Sequence, residues 1–382
     1  MLGLVSLCMD VSSEMIHSLL PVFLVTAVGA SALAIGLIEG AAESLALIVK
    51  VFSGALSDYF GRRKPLAVIG YGLGAVSKPL FALATGSGLV FAARLVDRVG
   101  KGIRGAPRDA LVAELAPPEA RGAAFGLRQS LDTVGAFLGP LLAMGLMLWW
   151  ANDFRAVFWV AIIPGFLAVA LLVFGVREPP PRSGHLARNP IRRENLRRLS
   201  PAYWWVVGIG AAFTLARFSE AFLILRAHQG GLPVAFAPLV LIAMNVVFAV
   251  SAYPFGRLSD AMSHRRLLAL GLVVLMGADA ALAWSNHWSW VWAGITLWGL
   301  HMGITQGLLA TMVVDAAPAD LRGTAFGLFN LVSGLALLIA SALAGLLWDT
   351  VGAPATFAAG AIFGAIALAA ILLRGGARAP QG

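Results

Sequence analysis

One segment of this sequence occurs twice, and that duplication limits the fold more than any other feature. Residues 114–127 and 315–328 are identical at eight of fourteen positions. A Gly-x-Leu-Ser-Asp pentapeptide, at 54–58 and 256–260, repeats with nearly the same spacing. Both pairs lie about half the chain apart, so the repeated unit is half of the protein and not the short module of a solenoid. The chain is therefore predicted to fold as two related halves.

The composition is that of a membrane protein. Hydrophobic residues make up 59% of the 382 residues and charged residues 12%, with a mean hydropathy of +0.84, whereas soluble domains contain about 25% charged residues. A helix that crosses a bilayer needs about 20 apolar residues. Twelve stretches qualify, near residues 2–26, 32–56, 65–85, 88–113, 122–149, 154–176, 202–226, 234–256, 265–285, 288–313, 321–347 and 353–374. We predict an all-α integral membrane protein with twelve transmembrane helices in two six-helix repeats.

The formal net charge of +9 is explained by membrane topology and not by nucleic-acid binding. The arginines between the predicted spans are concentrated in loops of one parity, such as 62–63, 121, 177–198 and 322. By the positive-inside rule these loops are cytoplasmic. We therefore expect a multi-pass protein of the plasma (inner) membrane with both termini in the cytoplasm.

One long interruption of hydrophobicity divides the chain. We predict an N-terminal six-helix bundle at 1–176, a cytoplasmic linker at 177–200 and a C-terminal six-helix bundle at 201–382. The first apolar stretch lacks the basic segment and the cleavage site of a signal peptide, so it is predicted to be a span. Cys8 is the single cysteine, which excludes a disulfide framework.

The loop after the predicted second span carries a family signature. Residues 54–63 read Gly-Ala-Leu-Ser-Asp-Tyr-Phe-Gly-Arg-Arg, and this pattern in a duplicated twelve-span chain resembles the major facilitator superfamily over essentially its whole length. The resemblance implies that charge contacts in the cytoplasmic loops hold one state of a transport cycle and break in the other. It assigns this gating to Asp58, Arg62, Arg63 and Asp260, with Arg121 and Arg322 as candidate partners. Alternatively the arginines serve topology alone, which leaves the repeated aspartates unexplained.

The predicted fifth span contains a second family pattern. Residues 135–140 read Gly-Ala-Phe-Leu-Gly-Pro, which resembles the glycine-proline motif of exporting, antiporter-type members. Small residues four apart let two membrane helices approach closely, and a proline bends a span. Two departures argue against a standard drug antiporter: leucines replace the trailing glycines of the motif, and Arg98 stands where a glycine is expected after Arg94. The motif favours export without naming a substrate.

The predicted fourth span has a charged, mainly basic face. At about 100° per residue its charged side chains fall within an arc of roughly 120°. A charge at the bilayer centre costs about 2.5–3.5 kcal/mol, so this face must point to a cavity or to partner charges. The six residues are Arg94, Asp97, Arg98, Lys101, Arg104 and Arg108.

Acidic side chains at similar depth are available as partners. Counting about 1.5 Å per residue from the span ends puts three carboxylates near mid-membrane with Arg98 and Lys101, and predicts one buried network. Substrate binding is assigned to Arg98, Lys101, Arg94, Glu14 and Asp10, and proton coupling to Glu14, Glu43, Asp132 and Arg128. An adjacent cation changes the proton affinity of a carboxyl group, so anion binding would switch proton release. The alternative is a set of permanent salt bridges within the bundle.

The second half has fewer charges in its spans. The notable polar residues there are Arg217, Glu220, Arg226, Asp279, His301 and Gln306. At the repeat offset, Arg128 corresponds to Phe329 and Asp132 to Ser333. We therefore expect the binding chemistry to be concentrated in the first half.

Other patterns argue against further activities. Residues 100–105 read Gly-Lys-Gly-Ile-Arg-Gly, a dinucleotide-binding pattern, but no strand is predicted before them and they lie inside a predicted membrane helix. The sequence has no Gly-x-x-x-x-Gly-Lys-Ser/Thr phosphate loop, so we expect a gradient and not ATP to drive transport. We find no metal-ligand spacing and no nucleophile constellation, and expect no enzyme activity, cofactor or metal site.

These observations and the family resemblance together predict a secondary active transporter that works by alternating access. We favour proton-coupled export of a small organic solute, anionic or zwitterionic, because the charged face is mainly basic. The open alternatives are proton-coupled uptake of an organic acid or a metal-chelating metabolite, and multidrug efflux. The expected partners are the solute, protons or another coupling ion, and the lipid bilayer, with no nucleic acid. The chain is expected to be a monomer.

Overall fold

The computed structural model describes residues 1–60, 62–178, 198–284, 287–318 and 321–373, without the side chains of 54–56, 58–60, 118 and 260. Within these ranges the chain forms fifteen α-helices and no strand. They are α1 (Leu2–His17), α2 (Leu20–Thr26), α3 (Ala32–Phe60), α4 (Lys64–Leu83), α5 (Ser87–Leu115), α6 (Arg121–Trp149), α7 (Phe154–Gly175), α8 (Pro201–Ala216), α9 (Ala221–Gln229), α10 (Pro238–Ala261), α11 (His264–Ala283), α12 (Trp288–Thr305), α13 (Leu308–Ala316), α14 (Arg322–Thr350) and α15 (Ala353–Leu373).

The predicted all-α, twelve-span fold is confirmed. In the described part of the chain, eleven helical segments are long and apolar enough to cross a membrane. The remaining predicted span, 88–113, forms α5, which is 29 residues long but carries the charged face described above. A helix with this many charges crosses a membrane when its charged face is buried in protein or lines a cavity.

Three predicted spans are interrupted in the structure. The first breaks between α1 and α2, where Pro21 lies in the first turn of α2 and its missing N–H suits a new helix start. The seventh breaks between α8 and α9, and the tenth between α12 and α13. In the tenth span Gly307 has a φ of +75°, which glycine adopts without a steric penalty. Interrupted helices are common at the binding sites of secondary transporters.

The contacts divide the chain into two compact units. Unit 1 consists of Met1–Ala30, Ala41–Pro190 and Pro233–Ile242. Unit 2 consists of Ser31–Gly40, Ile191–Leu232 and Ala243–Gly382. Most of the predicted linker at 177–200 lies outside the described residues, so the predicted domain boundaries stay a prediction.

Unit 1 is built around α1 and the α4–α5 pair. α1 packs on α6 and α7, and α4 packs on α5 and α7. The α4–α5 contact is close because glycines meet: a Cβ added to Gly70 would lie 2.7 Å from the carbonyl oxygen of Gly100. The glycines at 100 and 102 therefore serve helix packing inside α5, where close backbone approach requires small residues.

Unit 2 buries the same positions in the corresponding helices. The repeat offset is 201 residues, from Arg121 to Arg322, so α4 corresponds to α11 and α5 to α12. In α5, positions 90, 93, 94, 97, 98, 100, 102 and 104 are buried, and their counterparts 291, 294, 295, 298, 299, 301, 303 and 305 are buried in α12. The sequence repeat is therefore also a repeat of helix packing.

Candidate functional site

The charged face of α5 lies inside unit 1, and its residues differ in burial. Arg94, Arg98 and Arg104 are buried, each at most 5% exposed. Lys101, the central residue of α5, is exposed. Among the described residues Lys101 forms no hydrogen bond or ion pair. The face therefore contains buried cations beside one accessible cation.

Asp97 binds a lysine that the sequence analysis did not single out. Lys78 Nζ lies 2.7 Å from Asp97 Oδ1 and 2.9 Å from Ser13 Oγ. Both members of the ion pair are almost fully buried. A lysine in the middle of the otherwise apolar span 65–85 was a readable signal, because a charge in a span is expensive and needs a partner.

Glu43 of α3 joins the same group of charges. Its Oε1 lies 3.2 Å from Arg98 Nη1 and 3.6 Å from Arg94 Nη2. Asp97 approaches the same two arginines, with Oδ2 at 3.5 Å from Arg98 Nε and 3.9 Å from Arg94 Nη1. Glu43 and Arg98, two members of the predicted network, are thus in contact, and Arg94 joins them. These two arginines bridge two carboxylates, an arrangement that fixes their position.

The two carboxylates of α1 are held beside this group by glycines of α6. A Cβ added to Gly135 would lie 3.0 Å from the Cβ of Asp10, and one added to Gly139 would lie 2.7 Å from the Cβ of Glu14. The glycine-proline motif therefore sets the closest approach of α6 to α1 at the two acidic residues. Glu14 Oε2 lies 3.4 Å from Nδ1 of His17, the last residue of α1.

Arg128 and Asp132 form a separate ion-pair cluster. Arg128 Nη1 donates to Asp132 Oδ2 at 2.7 Å, and Arg108 Nη1 lies 3.8 Å from the same oxygen. Asp109 completes the cluster, with Oδ1 3.1 Å from Arg108 Nε. Arg108 lies ten residues, or about 15 Å of helix, beyond Arg98 on α5. The structure therefore divides the one predicted network into two groups.

Arg104 and Tyr71 lie between those two groups. The guanidinium carbon of Arg104 is 4.9 Å from the centre of the Tyr71 ring, a cation–π contact. The Tyr71 hydroxyl is 3.1 Å from Ser6 Oγ, which also accepts from Arg108 Nη1 at 3.0 Å. A chain of contacts therefore runs from Arg104 through Tyr71 and Ser6 to Arg108.

The gating residues are only partly described. The side chains of Asp58 and Asp260 lie outside the described residues, and Arg62 and Arg322 are exposed. Arg121 Nε donates to the carbonyl oxygen of Ala113 at 3.1 Å. The gating role of these residues stays a prediction.

Arg63 makes the best-defined contacts of the signature loop. Its Nε donates to Glu114 Oε1 at 2.8 Å and its Nη1 to Ser57 Oγ at 3.1 Å. The backbone N–H groups of Arg63 and Lys64 both donate to Glu178 Oε1. The two glutamates were not singled out in the sequence, although Glu114 opens the longer repeated segment.

The polar residues of unit 2 make mostly local contacts. Arg226 Nε donates to the carbonyl oxygen of Leu282 at 2.9 Å, and its Nη1 donates to Gln229. Arg217 Nη2 lies 3.7 Å from Glu220 Oε1, across the break between α8 and α9. These contacts do not form a charge group comparable to that of unit 1 in the described residues.

Known proteins resemble this chain over most of its length. The Major Facilitator Superfamily model matches residues 2–341 and, in a second match, 227–381. An uncharacterized MFS-type transporter of Methanocaldococcus jannaschii is 34% identical over 356 residues, which are 91% of this chain and 87% of the relative. The multidrug resistance protein MdtH of Salmonella typhi is 25% identical over 334 residues, which are 84% of this chain and 79% of that protein.

A solved structure has the same fold. The nucleoside transporter NupG gives a TM-score of 0.81 at 11% identity, covering 97% of this chain and 98% of that one. At this identity the likeness concerns the fold alone. The twelve-span repeat, the family match along the chain and the archaeal relative agree, and the family resemblance seen in the sequence is confirmed. The chain belongs to the major facilitator superfamily of multi-pass membrane transporters.

Proposed function

We propose that the protein is a secondary transporter that exports a small organic solute with an anionic or zwitterionic group. Lys101 is the observation that carries this proposal. It is exposed, lies at the centre of a membrane-spanning helix, and has no ion pair or hydrogen bond in the described part of the chain. A cation at this depth is normally paired or faces a cavity. An anionic group of the solute is its partner.

The neighbours of Lys101 support a site for a zwitterion. Arg98 lies one turn away on α5 and is fixed by Glu43 and Asp97, so it strengthens the positive potential without moving. Asp10 and Glu14 lie within electrostatic range of Lys101. These two carboxylates receive a positively charged group of the solute, while Lys101 and Arg98 receive its anionic group. Arg94 contributes indirectly, because it contacts Glu43, which in turn contacts Arg98.

Proton coupling is part of the same proposal. The assigned residues are Glu14, Glu43, Asp132 and Arg128. Glu43 and Asp132 contact arginines, and arginine keeps its proton in proteins. Glu14 instead faces His17, and histidine exchanges protons near neutral pH. The Glu14–His17 pair is therefore the proposed exchange site, and binding of the solute at Lys101 changes the charge beside it.

The direction of transport rests on the motif and on the relatives. The glycine-proline motif at 135–140 resembles that of exporting members, and MdtH, a relative at 25% identity, is called a multidrug resistance protein. We propose a monomer in the plasma (inner) membrane, with both termini cytoplasmic and a gradient as its energy source. Multidrug efflux is the second candidate, and the MdtH likeness favours it.

A ligand panel on the purified protein tests the proposal. Thermal melting is measured with organic anions, zwitterionic amino acids, sugars and cationic drugs, for the parent and for Lys101→Met. Lys101→Arg keeps the charge, and Lys50→Met removes an exposed lysine from α3. Stabilisation by an anion or a zwitterion that is lost in Lys101→Met, but kept in both controls, supports the proposed site. Stabilisation by cationic drugs that is equal in all four proteins contradicts it and supports multidrug efflux.

A further inference from the structure

Unit 2 contains a carboxyl group at a fully buried position. Asp279 of α11 has no measurable exposure. Neither of its carboxyl oxygens has a hydrogen-bond partner among the described residues. By contrast, the buried Asp97 of unit 1 contacts Lys78 and two arginines. A buried ionised carboxylate without a partner is strongly unfavourable in a low-dielectric interior, so this group needs a different explanation.

The surroundings of Asp279 are a glycine backbone and an aromatic ring. A Cβ added to Gly360 of α15 would lie 2.6 Å from Asp279 Oδ2 and 3.0 Å from Cε1 of Phe218. Phe218 in turn contacts Trp298 of α12, with ring centres 5.5 Å apart. The indole Nε1 of Trp298 is also buried without a partner in the described residues. These neighbours supply no cation and no set of oxygen ligands.

The sequence repeat identifies the residues of unit 1 that occupy the positions equivalent to Asp279 and Trp298. At the offset of 201 residues, Asp279 corresponds to Lys78 and Trp298 corresponds to Asp97. In unit 1 these two positions form the 2.7 Å ion pair between Lys78 and Asp97. Unit 2 therefore has a carboxyl group in place of the ammonium and an indole in place of the carboxylate. Among the residues that the structure describes, no ion pair forms at this location in unit 2.

No other titratable group of the described residues hydrogen-bonds to Asp279. On α12, His301 donates from Nδ1 to the carbonyl oxygen of Gly271, two turns or about 12 Å along α11 from Asp279. Arg217 and Glu220 pair with each other at the α8–α9 break. On α9, Arg226 donates to the carbonyl oxygen of Leu282, three residues beyond Asp279 on α11, and to Gln229, while His228 contacts the carbonyl oxygen of Leu232. α15 carries no titratable residue in its range. The other titratable residues of these helices are His264, Arg265 and Arg266 at the start of α11, Asp315 near the end of α13 and Tyr203 of α8.

We propose that Asp279 is a proton-binding site of unit 2, protonated in the state seen here. The carboxyl group takes up one proton from water when the site is open and returns it to water when the site opens again. A proton fits because it needs no coordination shell, whereas metal cations need several oxygen ligands. This inference deepens the proposed proton coupling and rests on it for its role in transport, but the protonation itself is measurable without a solute.

Infrared spectroscopy of the full-length protein in lipid discs tests the protonation. A protonated carboxyl group has a carbonyl stretching band separate from the carboxylate bands. Asp279→Asn removes that band. Asp349→Asn is the matched control: Asp349 belongs to unit 2 and its oxygens accept from the backbone N–H groups of Ala32 and Leu33 at 3.0 and 2.8 Å. The band is expected to persist in this control. A band that is unchanged in Asp279→Asn overturns the proposal.

A second pair of variants keeps Asp279 in place. Gly360→Ala puts a methyl group against Asp279 Oδ2 and is expected to shift the frequency of the carboxyl band. Gly364→Ala, one turn further along α15, meets Met276 instead and is expected to leave the band unchanged. Equal spectra in both variants contradict the assignment. So does a band that responds to sodium at constant pH, because a metal ion and not a proton then occupies the site.

The infrared test and the ligand panel fail independently. If no anion or zwitterion stabilises the protein but the Asp279 band is present, the proposed solute class is wrong and the proton site stands. If an anion stabilises the parent through Lys101 but the band is absent, the binding site stands and the coupling proton is carried elsewhere.

Discussion

Units 1 and 2 bury the same positions of corresponding helices but fill them with different side chains. Arg94 and Arg98 of α5 correspond to Ile295 and Gly299 of α12, and all four are buried. The duplicated fold therefore fixes which positions face the interior, while the chemistry at those positions is free to differ. Charge is therefore concentrated in one copy of a shared packing pattern.

The helix contacts of the two units differ in the same way. Gly135 and Gly139 of α6 lie against α1, and their counterparts in α14 are Ala336 and Ala340, which are also buried. Unit 2 accommodates an alanine at each of these two positions, whereas in unit 1 an added Cβ would clash with α1. The closer approach in unit 1 is therefore tied to the acidic residues of α1, because those residues are what the two glycines contact.

The buried ion pair offers the largest test of this comparison. Lys78→Met leaves Asp97 without its closest cation and is expected to lower the free energy of unfolding by about 3–5 kcal/mol, the usual cost of breaking a buried pair. At the corresponding position of unit 2, Asp279→Asn is expected to change it by less than about 1 kcal/mol, because the amide keeps the shape of a neutral carboxyl group. Denaturant unfolding in detergent micelles measures both values.

The double variant sharpens this result. Lys78→Met combined with Asp97→Leu removes both members of the pair, and apolar replacement of a whole buried pair is often neutral. We expect it to recover only part of the stability lost in the single variant, because Arg94 and Arg98 then lose their contacts with Asp97. A large loss in Asp279→Asn would mean that this carboxyl group is ionised and paired after all. The contrast between the units would then not hold.

The sequence predicted the fold because fold depends on patterns that are visible along the chain. Span length, hydropathy and the repeat predict the twelve membrane spans and their order. The break at Pro21 was also readable, since proline favours the first turn of a new helix, but the prediction took that span as continuous. The break at Gly307 depends on a left-handed backbone that a glycine permits and does not require.

The candidate site was predicted less completely because it depends on contacts between helices. The charged face of α5 follows from helical spacing, and so does the Arg128–Asp132 pair. The spacing does not reveal that Asp132 groups with Arg108 at a different depth from Arg98, since counting residues from the span ends puts Asp132 and Arg98 at the same depth. Nor does it reveal that Asp279 lacks a hydrogen-bond partner in the described part of the chain, because the neighbouring helices decide what surrounds a buried side chain.

The glycine contacts give the second, intermediate test. Gly139→Ala puts a Cβ 2.7 Å from the Cβ of Glu14 and 2.8 Å from the carbonyl oxygen of Val11, and is expected to cost about 1–3 kcal/mol, as overpacking usually does. Gly145→Ala in the same helix meets nothing within 4 Å and is expected to be neutral or slightly stabilising. Thermal melting of the two variants compares them. Equal melting temperatures would show that α6 does not set the position of Glu14.

The smallest expected effect lies in the loops, where the repeat again pairs unlike residues. Arg63 and Glu114 are 2.8 Å apart, and their counterparts His264 and Asp315 are 3.9 Å apart. Glu114→Gln is expected to cost about 0.2–1 kcal/mol, as for an ion pair near the protein surface, because the two side chains are partly buried and 22% and 18% exposed. Asp315→Asn is expected to have a smaller effect, and only at acidic pH, because a histidine is charged only when protonated. Melting curves of both variants at an acidic and an alkaline pH measure these effects. A larger loss of stability in Asp315→Asn than in Glu114→Gln at alkaline pH would contradict the expected order.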